Sequence, residues 1–174
     1  MLFHVSERVG IELFEPRWSQ FAGQSVVWAI DADRLRNYLL PRECPRVTYY
    51  AGPQTATTDV DKFLAKSQAV VSVESAWYER IRSCQLFCYH LPSDSFVCID
   101  ECAGYFVSSV PVVPARVEVL DELIGQLLKR GVELRFVPNL WPLHDAVVVS
   151  TLQFSMIRMR NAQPRVEDDL AVRI

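Results

Sequence analysis

The feature that most constrains this chain is a succession of short apolar runs, rich in β-branched and aromatic residues and each closed by a turn signal. Residues 2–6, 26–30, 47–51, 70–73, 85–91, 96–99 and 105–113 read as strands on that basis. Asp31, Gly52-Pro53, Pro92-Ser93-Asp94-Ser95 and Pro114 punctuate them. Residues 132–137 alternate, with Val132, Leu134 and Phe136 facing one way and Glu133 and Arg135 the other. Residues 10–17 read as a turn and bend closed by Pro16.

Helical signals fall between these runs. A short helix is expected over 33–40, capped by Asp31 or Asp33 and stopped by Pro41. Others are expected from Thr58 or Asp59 to about Lys66 and over 75–83. The clearest is 117–130, where Leu120, Leu123, Ile124, Leu127 and Leu128 recur at helical spacing and Gly131 follows as the C-terminal cap. In 145–160, Val147-Val148-Val149 favours strand, whereas the length and an Asp145 cap favour helix; helix is the preferred reading. Together these elements predict an α+β fold on a mixed, largely antiparallel sheet with interspersed helices. A single domain is expected over residues 1–162, with a polar C-terminal tail over 163–174.

Composition narrows the function classes. Half of the 174 residues are hydrophobic, enough for a core without disulfides or metal. The formal charge of −3 argues against non-specific nucleic-acid binding, which needs a net basic face, while leaving room for a local basic pocket. No basic segment leads into a long apolar run at the N-terminus, and the apolar runs fall far short of a membrane span, so no membrane partner is expected. Five cysteines without a secretion signal suggest reduced thiols and a cytoplasmic location.

Several side-chain groupings bear on chemistry. Cys84 and Cys88, and Cys98 and Cys102, repeat one spacing, and His90 shares a strand face with Cys88. Zinc uses Cys pairs, but usually in loops; Cys88 and Cys98 sit in apolar strands, so buried thiols and no metal are expected. Neither a G-x-S-x-G elbow nor a phosphate loop occurs, and His144-Asp145 reads as a helix start. Arg42-Glu43-Cys44-Pro45-Arg46 is either a stiff phosphate-gripping loop or a solvated loop with an Arg–Glu pair. On a helical 145–160, Ser150, Thr151, Ser155, Arg158 and Asn161 share one polar sector, suited to solvent or to a ligand cleft. His4 and Ser6, two apart on the first strand, project from one face.

Two segments resemble the ADP-ribosyltransferase fold, poly-ADP-ribose polymerase branch. The first is Leu2-Phe3-His4-Val5-Ser6, followed by Gly10-Ile11-Glu12-Leu13-Phe14; the second is Val27-Trp28-Ala29-Ile30-Asp31, with Tyr38 at the end of the next helix. The resemblance implies NAD binding and transfer of ADP-ribose to an unidentified acceptor. His4 and Ser6 would engage the ribose, Trp28 and Tyr38 would sandwich the nicotinamide, and Arg42, Arg46 or Arg158 would hold the phosphates. The family's acid falls on Gly104 here, so Glu101, with Glu74 behind it, is the candidate catalytic carboxylate beside His4. The alternative is a non-catalytic nucleotide-binding or protein-interaction module on the same fold. The chain as a whole also resembles a family of uncharacterised bacterial proteins through its L-F-H-V-S-E opening, N-Y-L-L-P-R-E-C-P-R-V and S-T-L-Q-F-S-M-I-R-M-R-N-A. That resemblance implies no known activity.

Overall fold

The computed structural model describes residues 1–165. In chain order the strands are β1 (Leu2–Ser6), β2 (Arg17–Ser19), β3 (Gln24–Ile30), β4 (Arg46–Tyr50), β5 (Ala69–Glu74), β6 (Leu86–Leu91), β7 (Val97–Asp100), β8 (Tyr105–Ser108), β9 (Arg116–Leu120), β10 (Val132–Val137) and β11 (Gln153–Ile157). The helices are α1 (Thr57–Asp59), α2 (Tyr78–Ser83), α3 (Leu123–Leu128) and α4 (Trp141–Val148). The fold is mixed α+β, with predominantly antiparallel sheets and few helices.

The chain divides into two compact units. Met1–Arg42 and Arg80–Arg130 form the first; Glu43–Glu79 and the described residues from Gly131, 131–165, form the second. The first unit is built on a seven-stranded sheet ordered β7-β8-β3-β1-β6-β9, with β2 paired to β3, every pairing antiparallel. One face of that sheet buries Leu2, Val27, Ala29, Phe87, Tyr89 and Leu91 beneath Phe14 and Val112. Phe14 and Val112, from two separate loops, exchange backbone hydrogen bonds of 2.9 Å and so pin those loops together over the core.

The second unit is a four-stranded sheet ordered β10-β5-β4-β11, in which only β10 and β5 run parallel. Its core joins Val47, Tyr49 and Val70 to Phe63, Leu64, Leu140 and Val147. Glu74, fully buried, accepts hydrogen bonds from the backbone N–H groups of Leu140 and Gln163 at 3.0–3.2 Å. Leu140 immediately precedes α4, so this carboxylate satisfies one of the donors that every helix start leaves open.

Several expected elements take another form. The helix expected over 117–130 is a strand, β9, followed by the short α3. Val117-Glu118-Val119 continues the sheet beside β6, and Glu122 at φ 55° turns the chain into the helix. The leucine stripe survives that break: Leu120, Leu123 and Leu127 are buried, while Leu128 is exposed. The helix expected over 145–160 is also absent. α4 starts four residues earlier, with Pro142 in its first turn, and stops at Val148; residues 153–157 form β11 on the edge of β4. Asp145 does not cap that helix; it pairs with Arg165 at 2.7 and 3.0 Å and with His144 at 2.8 Å. The polar sector read from helical spacing therefore does not form: Ser150 donates to the Val147 carbonyl, Thr151 to Asp59 and Asn161 to Glu43. Over 33–40 only a 3-10 turn forms, Leu35–Tyr38. α1 continues as a π-helical turn over Val60–Leu64, ended by Ala65 and Lys66 at positive φ. The expected tail lies outside the described residues from 166 onward.

Candidate functional site

The first unit contains a cleft where β1 and β3 part. The two strands register only at Phe3 and Ile30. Farther along β3 the neighbour is β2, with Arg17 opposite Val26 and Trp18 opposite Ser25. In the gap, His4 Nδ1 lies 2.9 Å from the Trp28 carbonyl. A carbonyl only accepts, so Nδ1 carries the proton and Nε2 keeps its lone pair. Burial of the ring lowers the His4 pKa below its usual 6.5, and the Arg42 and Arg17 cations lower it further against the opposing effect of the Trp28 hydrogen bond. His4 is a neutral imidazole of fixed tautomer at neutral pH.

The cavity around it measures about 570 Å³. His4 and Ser6 line it from β1, Arg17 and Trp18 from β2, and Arg8 and Arg42 from the loops that follow β1 and the Leu35–Tyr38 turn. The Ser6 hydroxyl accepts from the Arg8 backbone N–H at 3.0 Å, which leaves its own proton to donate. Glu7 accepts from the Arg42 backbone N–H at 2.8 Å and pairs with Arg80, so the stem of Arg42 is held while its guanidinium is not. The guanidinium groups of Arg8, Arg17 and Arg42 make no ion pair or hydrogen bond within the described residues. Glu12 and Glu15 contribute carboxylates to the same lining. Trp18 is 72% exposed, an unusual state for a large aromatic side chain.

Strand parity decides which aromatic side chain shares the face of His4. The His4 ring packs on Phe14 at 4.8 Å between centroids, on the side of Val27 and Ala29. Trp18 stands opposite Ser25, whose side chain faces the same way as Val27. Trp28 lies between Val27 and Ala29 in sequence and points to the other face. There its ring meets Tyr105 edge-on at 5.5 Å and Phe21 at 5.8 Å, and the Tyr38 hydroxyl donates to that of Tyr105 at 3.2 Å. His4, Ser6 and Arg42 thus come together, and Trp28 lines the same cavity, its carbonyl meeting the His4 ring while its indole packs on Tyr105, to which Tyr38 is hydrogen-bonded, on the opposite face.

The remaining sequence candidates lie elsewhere. Glu101 is exposed in the turn between β7 and β8 and does not line the cavity. Arg46 and Arg158 belong to the second unit, where Arg46 donates to the Cys44 carbonyl at 2.9 Å and Arg158 Nε lies 3.3 Å from Glu43. Glu74, also in the second unit, is occupied with the backbone of Leu140 and Gln163. All five cysteines are free thiols, and burial pushes the Cys88 pKa up to about 11 and raises that of Cys84. No group of three or more His, Cys, Asp or Glu among the described residues is arranged to hold a metal ion. No helix among them is long and apolar enough to cross a membrane. Sequence reading did not single out Arg8, Arg17, Trp18, Glu12 and Glu15. The one available signal was Arg17-Trp18, a cation and an indole side by side just past Pro16.

A family model described as a family of unknown function, DUF6886, matches residues 3–162. No curated protein matches the chain, and no solved structure does.

Proposed function

We propose that this chain, which belongs to the DUF6886 family of unknown function, binds a phosphorylated nucleoside in the cavity of its first unit. The observation that carries the reading is the pair of guanidinium groups of Arg8 and Arg42, unpaired among the described residues, beside one neutral histidine. Unpaired arginines converging on a concavity suit phosphate, whose oxygens match the guanidinium fork. His4 Nε2 and the Ser6 hydroxyl supply an acceptor and a donor for sugar hydroxyls. Trp18 offers an exposed indole for a base on the same face of the sheet, the role that sequence reading gave to Trp28. NAD and ADP carry all of these groups and are the first ligands to test. Binding alone is favoured over transfer of ADP-ribose, because Glu101 stands outside the cavity lining and the family's acid position is Gly104.

Isothermal titration with ADP, NAD, adenosine and inorganic phosphate tests this. ADP or NAD should bind and adenosine should not. Arg42→Ala should weaken ADP binding about tenfold or more, since a hydrogen bond to a charged group contributes about 1.5–3 kcal/mol. Equal binding of adenosine and ADP, or none of either nucleotide at millimolar concentration, would overturn the reading.

A further inference from the structure

We infer that Tyr89 is a positioning residue for this cavity: its buried hydroxyl sets the conformation of the loop that brings Arg8 to the ligand. The inference rests on the nucleotide-binding reading for its consequence and on geometry for its cause. Tyr89 lies in β6, directly across from His4 in β1. Its side chain is 1% exposed, and its ring meets Phe14 edge-on at 5.2 Å. The hydroxyl donates to the Arg8 carbonyl at 2.7 Å and accepts from the Ile11 backbone N–H at 3.2 Å. One oxygen thus ties two points of the loop, three residues apart, from beneath. The next fastening is the Phe14–Val112 bridge. Among the described residues the Arg8 side chain makes no hydrogen bond or ion pair, and the other tie on its backbone is the contact to Ser6. Without the tyrosine hydroxyl, the backbone that carries Arg8 would exchange its fixed partners for water. The backbone that presents its guanidinium to the cavity would then no longer be fixed before the ligand arrives, a loss of preorganisation.

Tyr89→Phe isolates the effect, because it keeps the ring and removes only the oxygen. ADP affinity should fall about threefold to tenfold. Arg8→Ala should weaken the wild type by a similar factor, yet add little to Tyr89→Phe, since coupled groups are non-additive. Amide exchange should quicken at Ile11 and stay unchanged at Leu123, far along the chain in α3; a merely structural loss would raise both. Unchanged affinity in Tyr89→Phe, or losses that multiply independently with Arg8→Ala, would overturn the inference. If the wild type binds no ADP, the nucleotide reading falls by itself, and Ile11 exchange then decides Tyr89's hold on the loop: an unchanged rate there overturns it.

Discussion

Gly104→Ala tests whether the position to which the transferase resemblance assigns its acid can hold a side chain at all. Gly104 sits at φ +64°, where an L-residue costs about 1–2 kcal/mol. A Cβ there would lie 2.5 Å from Asp31 Oδ2 and 2.6 Å from Arg34 Cγ. Relief requires Asp31 to turn away. That movement sacrifices the 2.7 Å hydrogen bond its Oδ1 accepts from the Arg34 backbone N–H, worth about 1.5–3 kcal/mol as a bond to a charged group. The sum is about 2.5–5 kcal/mol. Gly23 supplies the control: it has the same φ of +64° but nothing within 4 Å of the added Cβ, so Gly23→Ala should show only the backbone cost. Urea unfolding measures both. With a slope of about 2 kcal/mol per molar, the Gly104→Ala midpoint should drop by more than about 1 M and that of Gly23→Ala by less. Equal shifts would refute the steric argument, and a Gly104→Ala loss below about 0.5 kcal/mol would refute both parts of it.

Two further expectations concern the same unit. Below pH 6.5 the unfolded chain protonates the His4 imidazole more readily than the folded chain, whose pKa is depressed; the unfolded state then binds more protons and stability falls as pH drops. Wild type should therefore lose more stability than His4→Gln between pH 7 and pH 5, and parallel profiles would contradict this. Leu127 is fully buried on α3, so Leu127→Ala should cost about 2–5 kcal/mol in denaturant unfolding, and a change under about 0.5 kcal/mol would place the stripe in solvent.

Strand positions were legible because β-branched runs and period-2 alternation are local properties. Residues 2–6, 47–51, 70–73 and 132–137 became β1, β4, β5 and β10 with bounds moved by a residue at most. The two longest helix readings failed for a shared reason. Leu120, Leu123 and Leu127 fit helical spacing, yet Leu120 is the last residue of β9 and the other two are in α3; a strand end and a short helix can bury the same stripe. At 153–157 the free edge of β4 decided the outcome, and a partner edge leaves no mark in the segment's own sequence.

The site divides along the same line. His4 and Ser6 were readable as a pair because their spacing on one strand fixes their shared face, and Arg42 because a stiff loop follows Pro41. The choice between indoles was not readable. Trp18 and Trp28 are both aromatic residues in strands, and which of them faces His4 depends on how β2 and β3 register. A slip of one residue between paired strands exchanges every side chain between the two faces. With Trp18 opposite Ser25, the exposed indole lies on the His4 face and Trp28 packs on Tyr105 behind it. Register is set by the turn at Gly23 and by burial of Val27 and Ala29, neither of which the residues around Trp18 encode. The Trp18 substitution therefore discriminates sharply: Trp18→Ala should weaken ADP binding about tenfold while Trp28→Ala chiefly lowers stability, since an aromatic stack contributes about 0.5–1.5 kcal/mol beyond burial. The reverse pattern in paired titration and unfolding measurements would return the base to the Trp28 face and remove Trp18 from the site.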